Sequence, residues 1–484
     1  MKNRICKFST SVISLLLGLS FSWASAAGTS NRLNLVFIIA DDLGWADLGC
    51  YGSTFYETPH LDRLAAAGMR FTDAYAAASV CSPTRASILT GKAPARLQIT
   101  DWLPGRPDRP DQKLLRPVLR QSLPPEEVTL AEALKEAGYR TAFVGKWHLG
   151  AATNSFPAQH GFDLNIGGSG LGHPPSYFSP YGLPGLADGP KGEFLNDRLT
   201  DEAIRFVEQA AQGNAPFLLY LSHYAVHTPL QAKAETLAKY RRKAEVLGDS
   251  GPAFETDRGR PVRAVQNLPV YGAMMENLDE SVGHLLSALR RLGLETNTII
   301  VFTSDNGGLS TAEGSPTSNK PLRMGKGWGH EGGVRVPLLI SWPGGTAPGS
   351  VCRHPVISTD FYPTFLDMLR LPARPRQHLD GASFVAALRG GTPAPTPLFW
   401  HYPHYSNQGG APHGAIRLGR WKLIENFEDQ SLELYDLETD PGESRNQAES
   451  NPGQAEELRC KLQEWRKVVG AALPKPNPDY SPPR

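Results

Sequence analysis

Four runs of apolar, largely β-branched residues stand out along the chain, at 33–40, 140–144, 217–221 and 298–304. Each leads into polar residues: Asp41-Asp42 after the first, Gly145-Lys146-Trp147-His148 after the second, His227 beyond the third, and Asp305-Asn306 after the fourth. Continuous apolarity over so few residues is the signature of strands buried on both faces of a parallel sheet. Between them the pattern predicts helices. Thr129-Leu130-Ala131-Glu132 is a capping box opening a helix that ends at Gly138; 200–211 and 274–292 are two more, the last closed by Gly293. The alternation predicts a large, mainly parallel α/β sheet flanked by helices. Ligands of such sheets sit outside the carboxyl ends of the strands, so four polar clusters from distant parts of the chain are expected in one pocket.

Past about residue 370 the texture changes. Pro and Gly become dense as far as Pro397, and short strand-like runs follow at 414–417, 421–425 and 432–435. A small antiparallel sheet is expected there, with one helix over 456–465 presenting Leu458, Leu462 and Trp465 to it, and an extended Pro-rich tail after Ala472. The expected organisation is a leader at 1–26, a catalytic unit at 27–375 and a smaller C-terminal α+β domain at 376–484. The leader follows from Lys2, Arg4 and Lys7, an apolar run at 12–23 and the small residues Ala24-Ser25-Ala26, a secretory pattern cut after Ala26. Its apolar run is too short to span a membrane and no later segment qualifies, so the chain is expected to be exported, to the periplasm or beyond, without a membrane span.

Charge narrows the partners. Lys and Arg total 49 against 48 Asp and Glu, a net +1, so no bulk positive field exists to hold a nucleic acid. Once the leader is removed, Cys50, Cys81, Cys352 and Cys460 remain, too few for a disulfide framework, and one of them is free for another task.

Asp41, Asp42, Asp305 and Asn306 offer three carboxylates and an amide oxygen at two strand ends. A lone Asp pair after a strand is ordinarily a turn former, but two such sets at equivalent strand ends suit a hard divalent cation, Ca²⁺ before Mg²⁺. Cys81-Ser82-Pro83-Thr84-Arg85 opens a helix whose first amides favour an anion. An isolated cysteine is more often a small buried residue; beside a helix N-terminus and Arg85 it reads as a nucleophile.

Cys81-x-Pro83-x-Arg85 followed by Ala86-Ser87-Ile88-Leu89-Thr90-Gly91 resembles the signature of the type I, formylglycine-dependent sulfatases, of the alkaline-phosphatase-like superfamily. The resemblance implies that a separate maturation enzyme oxidises Cys81 to formylglycine, whose hydrate attacks the sulfur of a sulfate monoester. It implies one Ca²⁺ held by Asp41, Asp42, Asp305, Asn306 and an oxygen on residue 81. Lys146 and His148 match its second signature, and His227 and Lys326 match further sulfate-pocket positions. Arg85, Lys146 and Lys326 would neutralise the anionic ester, His148 would take the proton that lets sulfate depart, and His227 or Lys326 would protonate the leaving oxygen. Two positions depart from the family pattern: Met324, where a glycine is common, and His330.

Loops rich in aromatic and imidazole groups supply candidate substrate contacts at Asp101, Trp102, His173 and His401. The expected substrate is a sulfated carbohydrate, such as a glycosaminoglycan or marine polysaccharide fragment, with aryl sulfates as surrogates. A phosphoester or phosphonate hydrolase of the same superfamily, or a sugar-sulfate binding protein that never matures, remain the alternatives at this stage.

Overall fold

The chain was described from a computed structural model covering residues 32–248 and 251–482; the expected leader lies outside the described residues. Nine strands form the large sheet: β1 (Asn34–Ala40), β2 (Met69–Tyr75), β3 (Arg140–Gly145), β4 (Leu164–Ile166), β5 (Phe217–Ser222), β6 (Thr298–Ser304), β7 (Arg335–Ser341), β8 (Ser350–Cys352) and β9 (Val356–Ile357). Their order is β8-β2-β7-β6-β1-β5-β3-β4, with β9 also on β2. All pairings are parallel except those of β7, which runs against both β2 and β6. The four apolar runs of the sequence are β6, β1, β5 and β3, adjacent and in register, with Val36 opposite both Leu219 and Ile300.

Two-sided burial explains the unbroken apolarity of these strands. Leu35, Phe37 and Ile39 pack into a core with Ile88, Leu130, Leu134, Phe361 and Phe365. Val36 and Ile38 face the other way, against Leu199, Phe206, Met274 and Leu278. Helix Leu130–Glu136 begins at the expected capping box, Thr129 Oγ1 accepting from Glu132 N and Glu132 Oε2 from Thr129 N. Helix Leu195–Ala211 starts five residues before the expected Thr200, because the Thr200 hydroxyl donates to Asn196 O at 2.7 Å inside the helix and caps nothing. Helix Pro269–Arg291 likewise begins earlier than expected, with proline in its first turn.

The C-terminal sheet has four antiparallel strands, Leu398–Tyr402, His413–Leu418, Trp421–Asn426 and Leu432–Asp436, the first of them masked in the sequence by the surrounding prolines. One face packs Trp400, Ala415, Ile424 and Tyr435 onto Tyr75, Val334 and Ile357 of the large-sheet region. The other is covered by helix Pro452–Val469, through Leu458 and Leu462 against Ile416, Leu423 and Leu434, with Trp465 stacked on Phe399. Part of the tail, Lys475–Pro476, pairs with Leu114–Leu115. Among the described residues the four cysteines are unpaired, and no helix is long and apolar enough to cross a membrane.

Candidate active site

Cys81 is the first residue of helix Cys81–Thr90 and is 2% exposed. The helix starts at the carboxyl ends of the strands, where Asp41 and Asp42 leave β1 and Asp305 and Asn306 leave β6, all four buried. A ligand atom from each of Asp41, Asp42 and Cys81 lies within 4.8 Å of the others. Asp42 Oδ1 accepts from Asn306 Nδ2 at 2.8 Å, and Asp42 N donates to Asp305 Oδ1 at 3.2 Å, so the two strand ends are tied together. Three cations line the same space. Arg85 reaches Asp305 Oδ2 through Nε at 2.9 Å and Nη2 at 2.7 Å; Lys146 Nζ is 2.6 Å from Asp41 Oδ2; Lys326 Nζ is 2.8 Å from Asp42 Oδ2. His227 Nε2 is 3.1 Å from Lys326 Nζ.

Local backbone explains how these side chains arrive. Gly145, at φ +106°, lets Lys146 N donate to Ser222 O at 2.8 Å; a β-carbon there would lie 1.8 Å from that same carbonyl oxygen. Asp42 and His148 hold φ near +60° without being glycine. Such left-handed residues cost about 1 kcal/mol each and are retained where function fixes the side chain.

The family description named Sulfatase matches residues 33–371, and one named N-sulphoglucosamine sulphohydrolase, C-terminal, matches 324–468. A protein named Sulfatase from Formosa agariphila is 31% identical, over 96% of this chain and 94% of that one. Human arylsulfatase A is 33% identical, over 90% of this chain and 86% of its own length. The chain belongs to the sulfatase family. It is a sulfuric ester hydrolase on the alkaline-phosphatase-like fold. The crystal structure of a protein named Ps i-CgsB superposes on this sulfatase with a TM-score of 0.74 at 30% identity, covering 90% of this chain and 92% of that one.

Electrostatics in the sulfatase pocket are dominated by burial. Burial pushes the Asp41 carboxyl well above the ordinary carboxylate range, Lys146 drawing it back while Asp305 and Asp42 add to the rise. Burial acts the same way on Asp42, but Lys326, His227 and Lys146 outweigh it and hold Asp42 far below that range. Burial lowers His148 and His227 well below an ordinary imidazole, helped by Lys146 and Lys326 respectively. Both rings are therefore neutral, and their contacts fix the tautomers. His148 Nε2 lies 2.7 Å from Leu103 O and His227 Nδ1 lies 2.9 Å from Thr228 O; a carbonyl only accepts, so each of these nitrogens carries the hydrogen. His148 Nδ1 and His227 Nε2 are left as the basic nitrogens, and His148 Nδ1 is buried with no hydrogen-bond partner.

The candidate substrate contacts divide. Asp101 is buried, its Oδ1 accepting from Tyr402 Oη and Trp102 N, both at 2.9 Å, and Trp102 is half-buried beside it. His173 is exposed and stacks on His227 with ring centroids 5.8 Å apart, at the mouth of the pocket. His401 is not brought to this group. Strand alternation sends Trp400 and Tyr402 toward the large sheet and site and His401 to the opposite face, where its Nε2 meets Ala472 O at 2.9 Å. Met324 takes a left-handed φ of +60°, the physical reason a glycine suits that place, and is buried against Val262 and Trp328. His330 is buried, its Nε2 3.4 Å from Glu433. Sequence reasoning missed Ser222, whose hydroxyl accepts from Arg85 Nη1 at 2.6 Å and donates to Lys146 O at 2.7 Å. Its place at the carboxyl end of β5 was the available signal.

Proposed function

We propose that this sulfatase removes sulfate from a carbohydrate, using residue 81 as formylglycine and one Ca²⁺. The observation that carries the reading is the placement of Cys81 at a helix N-terminus within 4.8 Å of Asp41 and Asp42, ringed by Arg85, Lys146 and Lys326. As a plain thiol, Cys81 is a weak candidate nucleophile. Burial pushes it up to about 12, against the pull of Lys146 and Lys326 and with Asp41 and Asp305 adding to the rise. Oxidation to an aldehyde that hydrates supplies a nucleophilic hydroxyl and a second hydroxyl able to expel sulfate.

The donor set fits the metal. Asp41, Asp42, Asp305 and Asn306 present oxygen only, the preference of a hard cation. Asp41 Oδ1, 3.8 Å from Arg85 Nη2, and Asn306 Oδ1 are buried without hydrogen-bond partners. Three cations face three carboxyls, of which burial holds Asp41 toward its neutral form; a divalent cation bound there would favour its ionised form and would supply the positive charge that a sulfate monoester requires.

The remaining roles follow from the side chains. Lys146 and Lys326 face the anion as ammonium donors, and Arg85, spent on Asp305, Lys146 O and Ser222, fixes the carboxylate and the Lys146 backbone. His148 receives a proton at Nδ1, with Leu103 O holding the ring. Lys326 carries the proton for the leaving oxygen; the Nε2 of His227 accepts a hydrogen bond from it and, with Nδ1 anchored on Thr228 O, orients the ammonium group. A carbohydrate substrate is supported by the canine relative named N-acetylgalactosamine-6-sulfatase, 33% identical over 84% of this chain and 74% of its own length. It is supported too by the neighbour crystallised with k-i-k-neocarrahexaose, at 30% identity. Export and encounter with a maturation enzyme belong to the same reading. An intact-peptide mass spectrum across Cys81, from protein made beside the maturation enzyme, should show a loss of about 18 Da relative to the thiol, the mark of the aldehyde nucleophile. An unmodified thiol in fully active enzyme would overturn it.

A further inference from the structure

The loop from Gly307 to His330 carries Lys326 and also a carboxylate that the reaction above does not use. Glu313 is exposed, sits in the left-handed region at φ +52°, and has no ion-pair partner among the described residues. Its Oε1 accepts from Gln408 Nε2 at 2.7 Å. Gln408 comes from the C-terminal sheet's first connection and is buried, its backbone carbonyl accepting from Thr311 Oγ1 at 3.0 Å and Trp328 Nε1 at 3.1 Å. The Gln408 side chain abuts the residue after Lys326, since a β-carbon on Gly327 would lie 2.7 Å from Gln408 Oε1.

An unpaired carboxylate beside a pocket for an anion works against binding of the sulfate group itself. Its position is intelligible if it addresses the other half of the substrate. In the reading above Lys326 serves the leaving oxygen, and Glu313 is tied through Gln408 to the residue next to Lys326, which puts it on the leaving-group side of the site. A carboxylate fixed by one buried amide and otherwise open accepts hydroxyl hydrogens well and repels further anions.

We propose that Glu313, positioned by Gln408, is a specificity determinant on the leaving-group side. It accepts hydrogen bonds from hydroxyls of the sugar that carries the scissile sulfate, and it disfavours substrates with a second sulfate or a carboxylate next to that position. The inference rests on the carbohydrate reading above.

The test compares wild type with Glu313→Gln, which keeps size and the left-handed backbone, and with Glu313→Ala as a second variant, both checked for wild-type thermal unfolding. Steady-state kinetics would use a monosulfated sugar with free neighbouring hydroxyls, its disulfated counterpart, and nitrophenyl sulfate. For the monosulfated sugar, E313Q should lose on the order of ten-fold in kcat/KM, mainly through KM, the worth of a hydrogen bond to a charged acceptor. The disulfated sugar and the aryl sulfate should gain, because a like charge has been removed. Equal losses on all three substrates would assign Glu313 a merely structural role, and unchanged kinetics on all three would remove it from the site; either overturns the proposal. A wild type that cleaves nitrophenyl sulfate but none of the sugars would overturn the carbohydrate reading, and this inference with it.

Discussion

Lys422 Nζ lies 2.8 Å from Glu331 Oε1 with neither side chain exposed, a fully buried ion pair between the small sheet and the short helix that follows the Lys326 loop. The same ammonium is 2.9 Å from Glu443 Oε1, whose Oε2 accepts from Glu331 N at 2.7 Å. Two carboxylates thus share one lysine. Burial opposes ionisation of both; Lys422, Arg335 and Arg417 hold Glu331 down to about 2, while burial pushes Glu443 up to about 7 in spite of Lys422. The pair sets where the segment carrying Lys326 meets the C-terminal sheet.

Removing the lysine should therefore be felt in both stability and catalysis. Lys422→Met takes the ion-pair partner from Glu443 and leaves Glu331 with Arg335, 3.3 Å away, a loss of buried counter-charge that costs up to about 3–5 kcal/mol. The expected outcome is a fall of that size in chemical denaturation and a loss of sulfate release through displacement of Lys326. A variant as stable as the parent would show that the pair contributes nothing net.

Replacement of the nucleophile should separate chemistry from folding. Cys81→Ala removes a small side chain from the start of a helix whose remaining residues are all buried and packed, so thermal unfolding should shift by no more than about 1 kcal/mol. Sulfate release should fall to background. Measurable turnover by the alanine variant in a chromatographic sulfate assay would exclude residue 81 from the reaction.

The extent to which the site was legible in the sequence follows from what sets each residue's position. Asp41, Asp42, Asp305 and Asn306 were legible because they end strands whose continuous apolarity marks them as central and parallel, and strand ends in such a sheet share one edge. Cys81 and Arg85 were legible from a local motif that also opens a helix. His401 was misplaced because the strand Leu398–Tyr402 is hidden among prolines; once a strand is present, its two-residue period turns His401 away and Tyr402 inward. Leu103 O and Thr228 O fix the imidazole tautomers through backbone atoms, which no side-chain pattern discloses. Glu313 and Gln408 meet only because the C-terminal sheet folds back over a loop 95 residues distant.

Metal binding should depend on Asp305 through two routes. Its Oδ2 holds Arg85 and its Oδ1 holds the Asp42 amide, so Asp305→Ala removes a ligand and frees a buried guanidinium. In the parent, Ca²⁺ at a hundred-fold excess over Kd should stabilise the fold by about 2.7 kcal/mol. The variant should show little Ca²⁺-dependent shift in thermal unfolding, and metal analysis after gel filtration should fall from about one ion per chain toward none. An unchanged metal content would take Asp305 out of the site.

Acid should destabilise the protein through its buried imidazoles. Burial lowers His223 to about 4, with neither ring nitrogen hydrogen-bonded among the described residues. Burial also lowers His401 and His413 to about 4 and His404 to about 3. The unfolded chain takes up protons on these rings below its ordinary value near 6.5, while the folded chain does so only near 4 or lower. At these rings the unfolded state therefore binds more protons across that window, and the stability they contribute is fully present above about pH 6.5 and lost as the pH falls, by up to about 1.4 kcal/mol per pH unit for each ring. Buried carboxyls raised to about 7, Glu443, Asp279 and Asp360, act with the opposite sign over the same window, so the imidazole contribution is read as the difference in urea midpoints between parent and variant from pH 6.5 to 4.5. His223→Phe, which keeps a buried ring but takes up no proton, should flatten that slope by close to one proton's worth. A variant with the parent's slope would mean that His223 is already protonated in the folded protein, against the apolar, partnerless site in which it lies.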